Sequence, residues 1–179
     1  MKKAVIVLVL ATILATGTVF ADHPEGWGLG LINFVGSGYR SNAWHGGWAF
    51  SLKAPNVPIF WAIDMGFGSS HRIGVSGDWY FIDKRFSNVE TLHWYLGVGG
   101  YVGLWWRYYW LGYSRVSGDI GARFVAGLSW QPLDCFELFG QLVPSIGIGF
   151  GGFYGDYGKT NVGVGGSFST QIGVRAWLK

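Results

Sequence analysis

The sequence predicts an all-β protein: an eight-stranded, antiparallel, up-and-down transmembrane β-barrel that follows a cleaved N-terminal signal peptide. Two observations predict this fold. Of the 179 residues, 50% are hydrophobic and 18% aromatic, but only 13% are charged, whereas a soluble domain carries about 25% charged residues. Apolar and polar side chains also alternate along most of the chain. Side chains two positions apart share one face of a strand, so this alternation indicates strands with one apolar face.

The N-terminus has the pattern of a secretory leader. Lys2 and Lys3 precede an apolar run over 4–15, and small residues lead to Ala21. A basic start, a short apolar core and a small residue at the end are typical of a signal peptide. The alternative, a membrane anchor, needs about 20 apolar residues, more than this run supplies. We therefore predict a signal peptide at 1–21, cleaved after Ala21, and a barrel at 22–179. Asp22 rather than cysteine would begin the mature chain, which argues against a lipoprotein.

Eight segments follow the two-residue period. In the segment 120–130, for example, Ile120, Ala122 and Phe124 alternate with Gly121 and Arg123. No later apolar run is long enough for a spanning helix. Strands of about 10 residues would span a bilayer and leave room for loops. The apolar positions of the eight candidate strands cover 27–31, 44–52, 59–67, 73–81, 92–104, 120–130, 136–148 and 164–178.

Turn-forming residues separate the candidate strands at 37–42, 54–58, 68–70, 83–90 and 131–134. An even number of strands places both termini in the periplasm. The long connections 106–117 and 151–161 would then face outward, where they could bind an extracellular protein ligand. The connection 83–90 is long for a periplasmic turn, and the sequence does not explain it.

The polar face of the strands decides between a membrane barrel and a soluble one of the lipocalin kind. A soluble barrel turns its polar face to water, whereas a membrane barrel turns it inward. Lysine is nearly absent from the strands between 59 and 175, and the polar face consists mainly of Gly, Ser, Gln and Tyr. This composition suits a narrow lumen. Buried charges must be paired, so we predict a lumen network of Asp64, Arg72, Asp78, Asp119, Arg123, Glu137 and Arg175. Its functional alternative is an ion path.

Aromatic residues concentrate near the ends of the candidate strands. Amphipathic rings prefer the boundary between membrane and water, so they predict aromatic girdles. The alternative, packing in a soluble core, does not suit 11 tryptophans in so short a chain. The predicted interface aromatics are Trp27, Trp44, Trp79, Trp94, Trp105, Trp130 and Trp177.

The charge and the cysteine content limit the classes of partner and cross-link that the chain can have. Lys2 and Lys3 supply part of the formal net charge of +3, so the mature chain has no basic stripe for nucleic acid. Cys135 is the only cysteine, which excludes an intramolecular disulfide. The expected partners are outer-membrane lipid and the barrel-assembly machinery.

Two segments resemble a known family. The block 121–150, GARFVAGLSWQPLDCFELFGQLVPSIGIGF, has Gly-Leu-Ser before a short turn containing Leu133 and Asp134, and Val143-Pro144 beyond it. It resembles the penultimate hairpin of a family of small spirochaete outer-membrane barrels, and 95–103 looks like that family's fifth strand. The resemblance covers the C-terminal two thirds of the mature chain. It implies a barrel similar to OmpX, OmpW and the membrane domain of OmpA, with no catalytic residues to carry over.

The C-terminus departs from the usual outer-membrane pattern. Many such barrels end in an aromatic residue that the assembly machinery reads, whereas this chain ends in Leu178 and Lys179. Trp177 lies nearby but on the other phase of the alternation.

No motif predicts catalysis, a metal or a cofactor. Histidines His23, His45, His71 and His93 match no compact ligand spacing, and the Gly-x-Gly pairs lack the helix that a phosphate loop needs. Three functions remain open. The first is a structural or surface-interaction barrel with a plugged polar lumen. The second is a narrow channel for small or apolar solutes. The third is a lipid-modifying enzyme at the rim, using Ser69, Ser70 and His71.

Overall fold

The chain folds into eight strands. The structure, a computed structural model, describes residues 23–24, 26–38, 41–66, 71–108, 114–154 and 161–178, with side chains left out near several strand ends. In these ranges no helix could cross a membrane. The strands are β1 (Trp27–Gly38), β2 (Ser41–Lys53), β3 (Ile59–Gly66), β4 (His71–Phe86), β5 (Val89–Tyr108), β6 (Ser114–Leu133), β7 (Phe136–Tyr154) and β8 (Asn161–Leu178).

Each strand pairs with its neighbours in the chain, and β1 pairs with β8 to close the barrel. All eight pairings are antiparallel. Leu31 lies opposite Phe50 on one side and opposite Val174 on the other. Closure leaves no unpaired strand edge, which is what a sheet needs in an environment without water. The predicted eight-stranded, antiparallel, up-and-down barrel is confirmed, while the predicted signal peptide at 1–21 lies outside the described residues.

The structure corrects the long connection that we expected at 83–90. β4 runs to Phe86 and β5 begins at Val89, so only Ser87 and Asn88 form the turn. Irregular pairing at Tyr80/Ile82 and at Arg85/Phe86 accommodates the extra residues. Asp83 is therefore a strand residue that faces the lumen, not part of a loop.

Strands β5 to β8 have 20, 20, 19 and 18 residues, more than the expected 10 or so, because pairing continues into the expected outer loops. β5 and β6 pair as far as Tyr108 and Ser114. β7 extends to Tyr154, and β8 begins at Asn161. Residues 106–108, 114–117, 151–154 and 161 of the expected loops are thus strand residues, and 109–113 and 155–160 lie outside the described residues.

The two faces of the barrel differ in polarity. Leu128, Leu142 and Val174 point outward, with exposed fractions of 52%, 48% and 39%. Glu137 and Arg175 point inward, with exposed fractions of 0% and 2%. The outer face of the barrel thus exposes apolar side chains while the lumen buries charged ones, which is the arrangement of a membrane barrel.

Aromatic and aliphatic side chains pack inside the barrel between the polar ones. One cluster comprises Phe60, Tyr80, Tyr95, Val125, Val143 and Trp177. A second comprises Ile32, Ala49 and Phe139, with Ala62 packed against it. Glycines on the inner face make room for the rings, since a Cβ at Gly127 would overlap the ring of Tyr95.

Candidate functional site in the lumen

A network of charges occupies the end of the lumen nearest the chain termini, here called the lower end. Glu137 and Arg175 are cross-strand partners on β7 and β8. Arg175 Nη1 donates to Glu137 Oε2 at 2.9 Å, and Trp177 Nε1 donates to the same oxygen at 2.9 Å. Arg175 Nη2 also donates to Ser51 Oγ at 3.2 Å. Both members of this ion pair are therefore paired and hydrogen-bonded, as burial requires.

His23, which precedes β1, inserts into this network. Its backbone N–H donates to Asp83 Oδ2 at 3.2 Å, and its Nδ1 contacts the same oxygen. On the other side of the ring, Nε2 lies 3.0 Å from Glu137 Oε1. Burial lowers the pKa of His23, but the carboxylates of Glu137 and Asp83 outweigh it and raise the pKa to about 9. His23 is thus an imidazolium at neutral pH, with both ring nitrogens donating.

Aromatic rings stack beside the charges. The rings of Phe60 and Tyr80 stack at 4.2 Å between centroids, and those of Tyr80 and Tyr95 at 4.5 Å. The guanidinium of Arg175 lies 4.6 Å from the ring centroids of Phe60 and of Phe139. Such cation–π contacts stabilise a guanidinium that has lost its water.

A chain of side-chain amides continues along the lumen. Tyr95 Oη donates to Gln141 Oε1 at 2.8 Å, and Gln141 Nε2 donates to Gln171 Oε1 at 2.6 Å. Gln171 Nε2 in turn lies 3.3 Å from Ser169 Oγ. Connected hydrogen bonds of this kind hold their members in one arrangement, because a break would leave a buried polar group unpaired.

Two further ion pairs lie towards the opposite, upper end. Arg123 Nε is 2.9 Å from Asp78 Oδ1, and Arg72 Nε is 2.8 Å from Asp64 Oδ2. Asp119 interacts electrostatically with Arg72 and Asp64. The structure therefore brings the seven predicted lumen residues into the barrel as three separate groups along its length.

A cavity of about 70 Å³ lies in this upper region. Its polar lining includes Arg72, Ser76, Asp119, Ser145 and Ser167. Pockets for drug-sized ligands usually measure about 300–1,000 Å³, so this cavity is too small for a lipid substrate.

The lumen also contains residues that were not part of the predicted charge network. Tyr80, Tyr95, Gln141 and Gln171 lie on the polar phase of their strands, as the alternation predicts, but their hydrogen bonds to one another were not predicted. Asp83 was assigned to a turn. His23 lies outside every periodic segment, and no sequence signal marks it as a lumen residue.

Four of the predicted interface aromatics belong to the outward-facing phase: Trp27, Trp79, Trp94 and Trp130. Trp105 and Trp177 were also expected among the interface aromatics, but in the structure they face into the barrel. Trp177 is 3% exposed and bonds to Glu137, while Trp105 lies 5.2 Å from the guanidinium of Arg72 and lines the cavity. Both follow an inward-facing phase, and strand geometry leaves a single side chain no freedom to change faces. The side chain of Trp44 lies outside the described residues.

The other candidate sites are a metal site, the rim enzyme and the free cysteine. Within the described ranges, no group of three His, Cys, Asp or Glu residues could hold a metal ion. Ser69 and Ser70 of the hypothetical rim enzyme lie outside the described residues. The side chain of His45, one of the four histidines, also lies outside them. Cys135 is an exposed free thiol in the turn between β6 and β7.

Comparisons with known proteins gave structural likenesses only. No protein-family model and no curated protein sequence matches the chain. The crystal structure of Neisserial surface protein A (NspA) is 17% identical, with a TM-score of 0.47 over 85% of this chain and 96% of that one. The N-terminal β-barrel domain of Pseudomonas aeruginosa OprF is 14% identical, with a TM-score of 0.48 over 83% and 96%. Ail, the attachment invasion locus protein of Yersinia pestis, is 11% identical, with a TM-score of 0.26 over 87% and 100%.

Proposed function

We propose that the chain is an outer-membrane β-barrel whose closed, polar lumen is a structural core and whose outer loops make its functional contacts. The observation that carries the proposal is the reversed polarity of the barrel. Leu128, Leu142 and Val174 are exposed, while Glu137 and Arg175 are buried. A soluble protein rarely exposes a continuous apolar surface of this extent.

The closed lumen rests on the contacts at the lower end. His23 and Arg175 pair with Glu137, and Phe60 and Tyr80 stack beside them. The side chains of Asp83 and Glu137 have no exposed surface. Because these groups occupy the cross-section together, we expect ions to find no continuous water path.

The export and assembly steps belong to the same proposal. A leader ending at Ala21 would carry the chain to the periplasm, and the barrel-assembly machinery would insert it. A relation to the spirochaete barrels rests on the 121–150 and 95–103 segments alone. The outer loops around 109–113 and 155–160 are the proposed contact site for an extracellular protein ligand.

The location and orientation can be tested together. A short epitope inserted in 109–113, or separately in 155–160, should bind its antibody on intact cells, whereas an epitope between Ser87 and Asn88 should not. The folded protein should also migrate differently on a gel before and after boiling. Binding only at the Ser87–Asn88 turn would contradict the orientation, and partitioning into the aqueous phase would contradict the membrane location.

A narrow channel is the second candidate, and the cavity of about 70 Å³ in the upper lumen favours it. Planar-bilayer recording separates the two. The purified barrel should give no reproducible conductance steps if the lower network closes it. Steps of constant size that disappear when the protein is unfolded would favour the channel.

A further inference from the structure

His23 occupies a pocket that the barrel builds without it. The walls come from five strands: β3 supplies Phe60, β4 supplies Tyr80 and Asp83, β5 supplies His93 and Tyr95, β7 supplies Glu137, and β8 supplies Trp177. His23 itself lies before the first strand, which begins at Trp27. Its relation to the barrel is therefore that of a ligand attached by a short tether.

The pocket surrounds this occupant with rings. The centroid of the His23 ring lies 5.3 Å from that of Phe60 and 5.9 Å from that of Trp177. Tyr80, Tyr95 and His93 lie at 6.0, 5.9 and 5.7 Å. The rings of Phe60 and Tyr95 are inclined to the His23 ring at 68° and 71°, and aromatic surroundings of this kind suit a flat group with positive charge.

Two carboxylates complete the recognition. Asp83 Oδ2 contacts Nδ1, while Glu137 Oε1 lies 3.0 Å from Nε2 on the other side of the ring. Both carboxylate side chains have no exposed surface. An acceptor on each ring nitrogen matches a planar cation with two opposed N–H donors, and an ammonium group lacks that shape. Arg175 compensates one of the two acidic charges through Glu137, so the occupant supplies the second positive charge.

We propose that the lower end of the lumen is a binding pocket for a flat imidazolium-type cation and that the chain fills it with its own His23. His23 is then a tethered and exchangeable occupant of the barrel's lower end. When His23 is absent, the pocket accepts a free ligand of the same chemistry. The pocket depends only on the barrel and its lumen contacts, so its occupancy can be tested separately from the membrane location and the role of the loops.

The proposal can be tested by removing the His23 side chain and adding free imidazole. Full-length His23→Ala, folded in detergent, should unfold at a lower temperature than the wild type. Imidazole should restore the loss in a saturable manner at about pH 6, where it is largely protonated. At a concentration 100 times its Kd, imidazole should shift the folding equilibrium by about 100-fold.

Two controls separate a cation pocket from a simple cavity. Pyrazole has the same size but stays neutral, so it should rescue His23→Ala far less than imidazole. His71→Ala removes a histidine beside Trp106 at the upper end, and imidazole should not stabilise it. Equal rescue by pyrazole, equal stabilisation of His71→Ala, or no saturable rescue would each overturn the proposal.

Two further measurements cover a variant that does not fold. The yield of folded His23→Ala should then rise with imidazole during refolding, and an unchanged yield would contradict the pocket. In the wild type, NMR should detect contacts between the ring protons of His23 and those of Phe60 and Trp177. Their absence in well-folded protein would show that His23 does not occupy the pocket.

Discussion

Glu137 and Arg175 face each other across β7 and β8, and their side chains meet 2.9 Å apart with almost no exposed surface. Glu137 also accepts bonds from Trp177 and His23. One carboxylate therefore connects β7, β8 and the N-terminal segment. Loss of either charge would leave buried charge that is no longer compensated, which is the costly case for an ion pair.

Arg175→Ala should reduce the free energy of unfolding by about 3–5 kcal/mol, the cost of breaking a buried pair. Lys84→Ala removes an exposed charge on β4, outside this network, and should change the free energy by no more than about 0.5 kcal/mol. Urea titration in lipid vesicles measures both. Equal stability of the two variants would contradict the lumen network. The double variant Arg175→Met/Glu137→Leu should recover much of the loss, because neither charge then remains alone.

A lysine at an outward position should be costly in proportion to its depth in the bilayer. Leu142→Lys lies in the middle of β7 and should cost about 2–4 kcal/mol. Leu133→Lys, at the end of β6, should cost about 0–1 kcal/mol near the interface. The free energy of unfolding in vesicles decides between them. A cost at Leu133 equal to that at Leu142 would show that these positions do not differ in depth.

Stability should fall as the pH rises through the pKa of His23. Its folded pKa of about 9 exceeds the ordinary value of 6.5, so its contribution is complete below about pH 6.5 and disappears above about pH 9. The difference between the wild type and His23→Gln should therefore shrink by about 3 kcal/mol over this range. The groups that face His23 are Asp83, Glu137, His93, Tyr80 and Tyr95, and His23→Gln leaves all five in place. A difference that stays constant with pH would contradict an imidazolium at this site. His71→Gln serves as the control.

A methyl group on the inner face should be less tolerated than one on the outer face. A Cβ at Gly127 would overlap the ring of Tyr95, whereas a Cβ at Gly100 would meet its nearest atom, the carbonyl oxygen of Gly121, at 3.6 Å. Gly127→Ala should cost about 1–3 kcal/mol through overpacking. Gly100→Ala should be close to neutral. Thermal unfolding compares the two, and equal midpoints would indicate that Tyr95 does not pack against β6.

The alternation of the sequence predicted most of the fold, because one phase of each strand must face lipid and the other the lumen. This rule placed Asp64, Arg123 and Arg175 inside. The assignments of Trp105 and Trp177 were wrong because the preference of tryptophan for the interface was followed instead of the alternation. In a narrow barrel an indole N–H can find a carboxylate inside, as Trp177 does with Glu137.

The remaining errors arose where local pattern and long-range pairing disagree. Asp83 lies among charged residues that look like a turn, yet β4 continues past it because irregular pairing with β5 absorbs the mismatch. The position of His23 depends on contacts with Asp83 and Glu137, 60 and 114 residues away in the chain. Contacts over such separations leave no local trace in a single sequence.

The most direct test of the central claim uses two neighbouring residues of β7. Leu142 is 48% exposed, whereas Val143 is 2% exposed, so the side chain of Leu142 should lie in lipid and that of Val143 in the lumen. Nuclear Overhauser transfer from lipid acyl chains to methyl groups should be strong at Leu142 and absent at Val143. Transfer to Val143 with none to Leu142 would mean that the apolar face lies inside, and the proposed membrane barrel would be wrong.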